Sequence, residues 1–413
     1  MRFRTGLKLL RRPDVNRLFI AYLITYTGTA MAPIAIAFGV LELTGSTRDT
    51  AIVIAAPTIA SIAVLLFGGV LADRTSRQRI IVFAEGPAMV AQFCIAYLFL
   101  ADIATVPFLT FLMLANGIAM ALNAPAALGL ITQIVARDEL QAVNALLGTA
   151  RNGAMAGGAA LGGILVATFG AGVTLMIDSV SFGVSALLVL SLKPRLQVPP
   201  AKASLIEDLR LGWKEFTSHT WLWVIVLQFS LLVAAMESVF GLIGPAVALE
   251  HMNGAIDWGF IAASFGAGTL VGGILSLKVN VKYPMRLGTI LVFSFCSVPL
   301  ALAVPLPVYL VSTAAFVEGV AGQIFAVLWY TSIQHKVPGQ MLSRVSAYDH
   351  LGSIVLAPLG LVAGGLLFEQ IGFRATLLIA ALVVILPTML AFSVRDVRMM
   401  TISKTGADNP GDP

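Results

Sequence analysis

The residues of this chain best suited to chemistry are carboxyl groups that lie within long apolar stretches. Glu318, Glu237 and Asp178 are each flanked by runs of small and aliphatic residues. An ionisable group inside a membrane-spanning segment is costly and normally faces a cavity or a partner. Removal from water disfavours the charged form of a carboxyl group. Such a group can take up a proton near neutral pH and release it when its surroundings open to water. We therefore predict that these three acids are candidates for the uptake and release of protons.

The depth of Glu318 makes it the leading candidate. It lies about 10 residues into its apolar stretch, roughly 15 Å deep at the rise of a helix. Asn116 occupies the corresponding place in the first half of the chain and is also followed by glycine. Glu85 lies about 9 Å inside the cytoplasmic end of the third apolar stretch, and Arg151 lies at a similar depth in the fifth. The alternative to a functional role for these two residues is a purely structural one, in which they form an ion pair with each other.

Several aromatic and polar residues within the spans are candidates for lining a ligand cavity. Aromatic side chains present large apolar surfaces to an amphipathic molecule, although near a span end they also suit the membrane interface. The predicted cavity residues are Tyr22, Tyr26, Asn116, Arg151, Phe240 and Phe325. No metal site or cofactor is predicted, because the two cysteines lie in apolar runs and the four histidines lie at span ends or in loops.

Composition identifies the elements that must position these residues. Hydrophobic residues make up 58% of the 413-residue chain and charged residues only 11%, against about 25% charged residues in a soluble domain. Lipid must therefore be the solvent of this chain. Backbone polar groups in lipid require helices or a closed barrel. The apolar runs are continuous and do not alternate with polar residues as barrel strands do, so we predict an all-α membrane protein.

The apolar runs predict twelve membrane-spanning helices. Their predicted bounds are 18–42, 50–72, 80–101, 106–128, 146–168, 172–192, 221–245, 258–277, 287–304, 308–331, 350–368 and 374–394. With both termini in the cytoplasm, 23 Lys and Arg residues fall on the cytoplasmic face and only Arg48 and Arg374 on the other. Cytoplasmic loops carry the excess of Lys and Arg, so this asymmetry predicts cytoplasmic termini. It also accounts for the net charge of +5 without a nucleic-acid partner.

An internal repeat divides the chain into two halves. Identical residues recur at a spacing of 202 positions, including Cys94 and Cys296 and the glycine pairs 117/319, 162/364, 163/365 and 170/372. Parallel six-helix repeats of this kind build the two halves of one class of secondary transporter. The predicted organisation is a six-helix bundle over 1–192, a linker over 193–220, a second six-helix bundle over 221–394 and a disordered cytoplasmic tail over 395–413.

The linker is predicted to contain an amphipathic helix on the cytoplasmic surface. Ser204 and Glu207 have the spacing of a capping box. The apolar residues that follow, Leu205, Ile206, Leu209, Trp213 and Phe216, form one stripe. The helix suits the membrane interface, and a plain tether between the halves is the alternative role.

The loop after the second span contains a motif whose residue types indicate contacts between helices. Gly69, Asp73, Arg74 and Arg77 occur in the run Gly-Val-Leu-Ala-Asp-Arg-Thr-Ser-Arg-Gln-Arg. Glycine allows close approach of two helices, and an acid at a helix end can meet a neighbouring helix N-terminus or a basic side chain. This run resembles the gating loop of the major facilitator superfamily, with Ser76 where that family usually has glycine. The resemblance implies a fold of two pseudo-symmetric six-helix bundles that rock about a central cavity.

A glycine-rich face in the fifth span resembles the antiporter motif of exporters in that superfamily. It comprises Gly153, Gly157, Gly158, Gly162 and Gly163, with Gly158 in place of the usual proline. Such a face permits a tight helix contact between halves, and ordinary small-residue packing is the alternative.

Within the superfamily, the chain is similar to the branch of enterobactin exporters and macrolide-efflux proteins. The stretches that carry this similarity begin at Asn16, Thr44, Pro125, Asn144, Asp178 and Val337. One departure is that Gly28 is followed by Thr29, where that branch often has an acid.

These observations predict a secondary transporter, not an enzyme. The expected function is proton-coupled export of a small amphipathic or apolar compound: a drug, an antibiotic or a siderophore. Import or facilitated transport by the same fold remains an alternative, as does a non-transporting sensor or scaffold. The sequence contains no metalloprotease, nucleophile-elbow or P-loop motif. We expect a monomer in the bacterial inner membrane whose partners are a small-molecule substrate, protons and lipid.

Overall fold

A computed structural model of the chain describes residues 9–74, 76–136, 139–194, 205–304, 306–339 and 341–401. Within these ranges, the side chains of 65–74, 124–125, 128–129, 141, 145, 205–209 and 343 are not described. The helices are α1 (Pro13–Thr44), α2 (Thr47–Arg74), α3 (Arg77–Leu100), α4 (Val106–Ile134), α5 (Leu140–Leu190), α6 (Leu205–Ser218), α7 (Thr220–Ser238), α8 (Gly244–His251), α9 (Ala255–Ser276), α10 (Pro284–Val292), α11 (Ser297–Ala303), α12 (Val308–Lys336), α13 (Leu342–Ile354), α14 (Ala357–Ser393) and α15 (Arg395–Met399). A π-helical turn, Val239–Ile243, joins α7 to α8, and a 3₁₀ turn, Phe293–Cys296, joins α10 to α11.

The predicted all-α membrane fold is confirmed. Within the described ranges, ten helical stretches are long and apolar enough to cross a membrane. Two of these, Ala142–Leu190 and Arg344–Ser393, contain 49 and 50 residues. A crossing needs only about 20 residues, so each of these two can cross twice. The arrangement is thereby consistent with twelve spans.

The two double-length stretches are bent at equivalent glycines. Gly170 in α5 has φ 79° and ψ 172°, and Gly372 in α14 has φ 77° and ψ 166°. A side chain with a Cβ atom is strained at such positive φ values, whereas glycine adopts them readily. The two bends lie 202 residues apart, at the spacing of the sequence repeat.

The membrane helices pack as two groups that meet along two seams. Helices α1–α5 contact one another, as do α7–α14. Across the groups, α5 contacts α9 and α2 contacts α14. The described glycines with positive φ, at 45, 170, 254 and 372, all lie at turns on one face of the molecule. We call this the closed face, because the two groups touch there.

The linker and the tail differ in detail from the predictions. The linker helix is present as α6, while Ser204 and the Glu207 side chain of the predicted capping box lie outside the described residues. Helix α6 packs against α13, with the Trp213 ring 5.4 Å from that of Tyr348. The tail does not begin disordered at 395, because α15 forms there and buries Val397. Residues 402–413 lie outside the described residues.

Candidate functional site

Equivalent glycines form the contacts between the two groups at the closed face. A Cβ atom added to Gly163 in α5 would lie 2.8 Å from Cα of Gly259 in α9. A Cβ atom added to Gly365 in α14 would lie 2.8 Å from the carbonyl oxygen of Thr47 in α2. Because Gly163 and Gly365 are repeat mates, one symmetric pair of backbone contacts holds the two groups together.

The rest of the predicted glycine face in α5 divides between two surroundings. Gly158 and Gly162 pack on the backbone of α1, within their own group. Added Cβ atoms at Gly153 and Gly157 would meet no atom within 4 Å. Of these five glycines, Gly163 is therefore the one at which an added Cβ atom would meet the opposite group.

A carboxylate bridges the two groups at the rim of the closed face. Oε1 of Glu369 accepts hydrogen bonds from the Ser46 hydroxyl at 2.8 Å and from the Arg48 backbone N–H at 3.0 Å. The Thr47 hydroxyl donates to the Gly365 carbonyl at 3.0 Å. The start of α2 thus docks onto α14 through three hydrogen bonds, which we call the rim latch.

Away from the closed face the two groups diverge. The open surroundings of Gly153 and Gly157 on α5 lie on the divergent side, because added Cβ atoms there would meet no atom within 4 Å. Arg151 is exposed there and is in electrostatic range of Tyr22 in its own group and of Tyr330 in the other. The predicted pairing of Arg151 with Glu85 is wrong, since no ion pair joins these two described residues. The Tyr22 and Tyr26 rings are 5.4 Å apart in α1.

A buried polar seam joins α3, α4 and the second arm of α5 within the first group. In its outer layer, Gln92 contacts Asp178, and Asn116 donates to Gln92 Oε1 at 2.8 Å. The Asp178 side chain is also hydrogen-bonded to the Ser181 hydroxyl at 3.3 Å. Asn116, predicted for the ligand cavity, therefore lies in this seam.

The inner layer of the seam surrounds a second carboxyl group. Oε1 of Glu85 accepts hydrogen bonds from Ser185 at 3.0 Å and from Asn123 at 3.3 Å. Each inner residue lies seven positions from an outer one on its helix, at 85/92, 116/123 and 178/185. Seven residues span about 10.5 Å along a helix. Two acids, Asp178 and Glu85, thus lie in adjacent layers of the buried polar seam. Glu85 Oε2 has no hydrogen-bond partner.

Glu318 is fully buried within the second group at a break in a membrane helix. Its Oε1 accepts the Val298 backbone N–H at 2.8 Å and the Ser297 hydroxyl at 3.2 Å. These donors form the first turn of α11, whose N–H groups have no partner within the helix. Glu318 therefore caps α11, and its Oε2 has no partner.

The other predicted residues of the second group lie on α7 or close to it. Glu237 is exposed near the end of α7, two residues before the π-helical turn. Phe240 packs between the rings of Trp258 and Phe265, at 5.8 and 5.3 Å. Phe325 is buried and stacks on Phe229 at 4.5 Å.

Phe325 also lines a cavity of about 190 Å³ between α7, α12 and α13. Its wall includes the stacked rings of Phe229, Phe325 and Trp329. Asp349 lies among these rings, is only 6% exposed and accepts the Trp329 indole N–H at 3.1 Å. The sequence prediction missed Asp349. The only signal in the sequence was an acid next to His350. Because Asp349 immediately precedes the predicted span 350–368, it resembled a loop residue.

The side chains of the predicted gating loop lie largely outside the described residues. This applies to the side chains of Gly69, Asp73 and Arg74, while Arg77 is half-buried at the start of α3. Its neighbour Gln78 donates from Nε2 to the carbonyl oxygens of Val189, Leu190 and Leu192 at 2.9 to 3.0 Å. Gln78 thereby binds α3 to the end of α5, a role that the motif did not predict.

Comparison with known proteins places this geometry in a family. The model of the Major Facilitator Superfamily matches residues 18–348. The multidrug efflux pump Tap of Mycobacterium tuberculosis (strain ATCC 25618 / H37Rv) is 25% identical over 402 residues, which cover 94% of each chain. The enterobactin exporter EntS of Citrobacter koseri is 26% identical over 369 residues, which cover 86% of this chain and 87% of that protein.

Solved structures share the fold. An inward-facing, unoccupied bacterial homolog of the human lysosomal transporter Spinster superposes with a TM-score of 0.72, at 14% identity over 92% of this chain and 95% of that one. The nucleoside transporter NupG superposes with a TM-score of 0.71, at 15% identity over 92% of this chain and 100% of that one.

Proposed function

Because the chain belongs to the major facilitator superfamily, we propose that this multi-pass membrane transporter is a proton-coupled exporter of a small amphipathic or apolar compound. The observation that carries the proposal is the symmetric contact of Gly163 with α9 and of Gly365 with α2, combined with divergence of the groups on the opposite side. Two equivalent contacts that open and close together would expose a central cavity to one face at a time. Such alternating access is what a secondary transporter requires.

The direction of transport is proposed from relatives and from the motif in α5. The relatives include the multidrug efflux pump Tap and the enterobactin exporter EntS. The glycine run from 153 to 163 resembles the antiporter motif of exporters. Both favour export over import, and both favour a drug, an antibiotic or a siderophore as cargo.

Protons are the proposed driving ion, because acids occur where a transported proton would need them. Asp178 and Glu318 are buried, and Glu237 is exposed at the end of α7. One proton that moves across 100 mV supplies about 2.3 kcal/mol. That free energy can maintain a concentration ratio of a few tens to one for a neutral substrate across the membrane, since about 1.4 kcal/mol corresponds to a factor of ten.

Orientation and assembly complete the proposal. We place the closed face on the outer side of the bacterial inner membrane and both termini in the cytoplasm, with the chain acting as a monomer. The lone outer cations Arg48 and Arg374 support this orientation. Reporter fusions within 193–220 should be active only on the cytoplasmic side, and activity on the outer side would reverse the assignment.

Transport into inside-out vesicles tests the function. The chain is expressed in a bacterial host that lacks its own efflux pumps, and the vesicles are acidified internally by respiration. Ethidium and radiolabelled erythromycin serve as a charged and a larger amphipathic probe. Export predicts accumulation of at least one probe that is lost when nigericin collapses the pH gradient. Loss of probe from preloaded vesicles under the same gradient would indicate import instead.

Variants of the three acids test the coupling. Glu318→Gln keeps an oxygen that can accept from Val298, so membrane insertion should survive while pH-driven accumulation is lost. Asp178→Asn and Glu237→Gln are assayed in parallel, with Glu250→Gln as a control because Glu250 is exposed near the end of α8. An acid whose variant transports as well as the control is removed from the mechanism.

A further inference from the structure

We propose that the cavity between α7, α12 and α13 binds an organic cation with a planar aromatic body, with Asp349 as the countercharge. This inference rests on the proposed function and deepens it, since it names the substrate class of the transporter. It is carried by the position of one acid within a wall of aromatic rings.

The first step is the electrostatic situation of Asp349. The side chain is almost completely buried and lines the cavity. Its Oδ2 atom is held by the Trp329 indole N–H, which leaves the other oxygen for a second partner. Within the described part of the chain, no Lys or Arg lines the cavity or forms an ion pair with Asp349. His350 also lines the cavity but forms no ion pair with Asp349. A buried carboxylate without a cationic partner is costly, and a cationic ligand would supply that partner.

The second step is the shape and chemistry of the wall. The Phe229 and Phe325 rings stack at 4.5 Å with an interplanar angle of 20°, and Phe325 and Trp329 stack at 6.1 Å and 17°. The three near-parallel rings form one stack in the wall, and a planar molecule that enters beside them can lie parallel to these rings. Aromatic faces also attract cations, with Trp the strongest of the three. An acid beside such a surface is suited to a cation whose charge is part of, or attached to, an aromatic ring.

The third step is that the repeated scaffold does not account for these residues. The positions 202 residues before Phe325, Trp329 and Asp349 are Asn123, Ala127 and Leu147. The helices are repeated between the halves, but the rings and the acid occur in the second half only. Their presence therefore calls for a role beyond the shared helix packing.

The fourth step concerns size and access. A cavity of about 190 Å³ is smaller than the roughly 300–1,000 Å³ of a drug-sized site, so it suits a ring-bearing head group. Tyr330 lines the cavity, is 57% exposed and lies in electrostatic range of Arg151 across the divergent side. The mouth of the cavity therefore opens between the two groups, where the remainder of a larger ligand would extend.

Binding of a matched pair of probes tests the proposal. Purified full-length protein in detergent is titrated with N-methylquinolinium, which is permanently cationic. Quinoline at pH 8, which is neutral and of nearly the same shape, is the comparison. Ligand fluorescence and tryptophan quenching give the two dissociation constants. We expect the cation to bind at least tenfold more tightly than the neutral molecule.

Two variants connect this preference to the cavity. Asp349→Asn should bring the two dissociation constants within about twofold of each other, while Asp396→Asn, the same change at an exposed acid, should keep the tenfold preference. Ser353→Phe places a ring in the cavity and should weaken binding of both probes at least tenfold. It also provides a second reading if Asp349→Asn does not fold.

The outcomes separate this proposal from the proposed function. Equal affinity of the wild-type protein for both probes, an intact preference in Asp349→Asn, or unchanged binding by Ser353→Phe would overturn it. No gradient is present in the detergent experiment. A failure there leaves export untouched, and a failure of export in vesicles leaves this binding site untouched.

Discussion

The environment of Asp178 depends on a glycine in a neighbouring helix. A Cβ atom added to Gly28 in α1 would overlap the Asp178 carboxylate and the Ser181 hydroxyl. The carboxyl group thus occupies the space that a side chain at position 28 would need. Similar transporters often have an acid next to this glycine in the sequence. Here the acid beside Gly28 is contributed by α5.

Substitution of Gly28 should therefore disturb proton coupling without removing an ionisable group. Gly28→Ala displaces Asp178 from Ser181, and we expect pH-driven accumulation in inside-out vesicles to fall at least fivefold. Gly86→Ala is the matched control, because an added Cβ atom there would meet nothing within 4 Å. Equal transport by the two variants would separate Asp178 from the coupling step.

The rim latch gives a second prediction at the residue scale. Glu369→Ala removes an acceptor for both Ser46 and Arg48. The bonds are charge-assisted but solvent-exposed, so their net contribution is about 1 kcal/mol. The closed face should open about fivefold more often, measured as faster reaction of a single cysteine placed at Ala51 with a membrane-impermeant maleimide. A cysteine rate equal to that of the unsubstituted protein would show that Glu369 does not hold this face closed.

Individual side chains also show where sequence reasoning succeeds and where it fails. Asp178 and Glu318 could be identified because a charge inside an apolar run is visible in any single sequence. Their partners could not, since Gln92 and Val298 reach them only through the packing of other helices. The expected Glu85–Arg151 pair failed for the same reason, because Ser185 and Asn123 donate to Oε1 of Glu85 instead.

At the scale of helices, the glycine contacts between groups determine which face is closed. A larger side chain at Gly163 or Gly365 would overlap the backbone of the opposite group. Close backbone approach is the reason small residues are enriched at membrane helix interfaces. The closed face therefore depends on two residues that lack side chains.

Bulky substitutions at these two positions should favour the alternative state. Gly163→Val and Gly365→Val should each separate α5 from α9 or α2 from α14 at the closed face. We expect longer distances between spin labels placed across that face, measured by double electron–electron resonance in detergent. Gly153→Val, in open surroundings, should leave the distance distribution unchanged. Identical distributions in all three variants would contradict the assigned role of the glycines.

Helix bounds were predictable where apolar runs are long and uninterrupted. The break at Phe293–Cys296 was not, because the residues that surround it are as apolar as those of a continuous span. It becomes intelligible only with Glu318 in place, since the carboxylate accepts the N–H that the break releases. The bends at Gly170 and Gly372, in contrast, coincide with gaps that the sequence already indicated between predicted spans.

At the scale of the whole molecule, two similar scaffolds carry different chemistry. The first group contains the two-layer seam of Asp178 and Glu85, and the second contains the ring-lined cavity of Asp349. The internal repeat accounts for the shared helices and glycines, whereas the seam and the cavity each occur in one group. A movement of one group against the other would then link protonation of Asp178 in the first group and of Glu318 in the second to ligand release from the cavity.

This division predicts that coupling and binding can be separated by single substitutions. Asp178→Asn should bind N-methylquinolinium in detergent within twofold of the wild-type affinity, yet fail to accumulate it in acidified inside-out vesicles. Asp349→Asn should fail in both assays, because a substrate that does not bind cannot be carried. Helix packing supports this order, since the seam lies among α3, α4 and α5 and the cavity among α7, α12 and α13. If Asp178→Asn weakened binding as much as Asp349→Asn did, the two halves would share one site and the assignment of separate roles would fall.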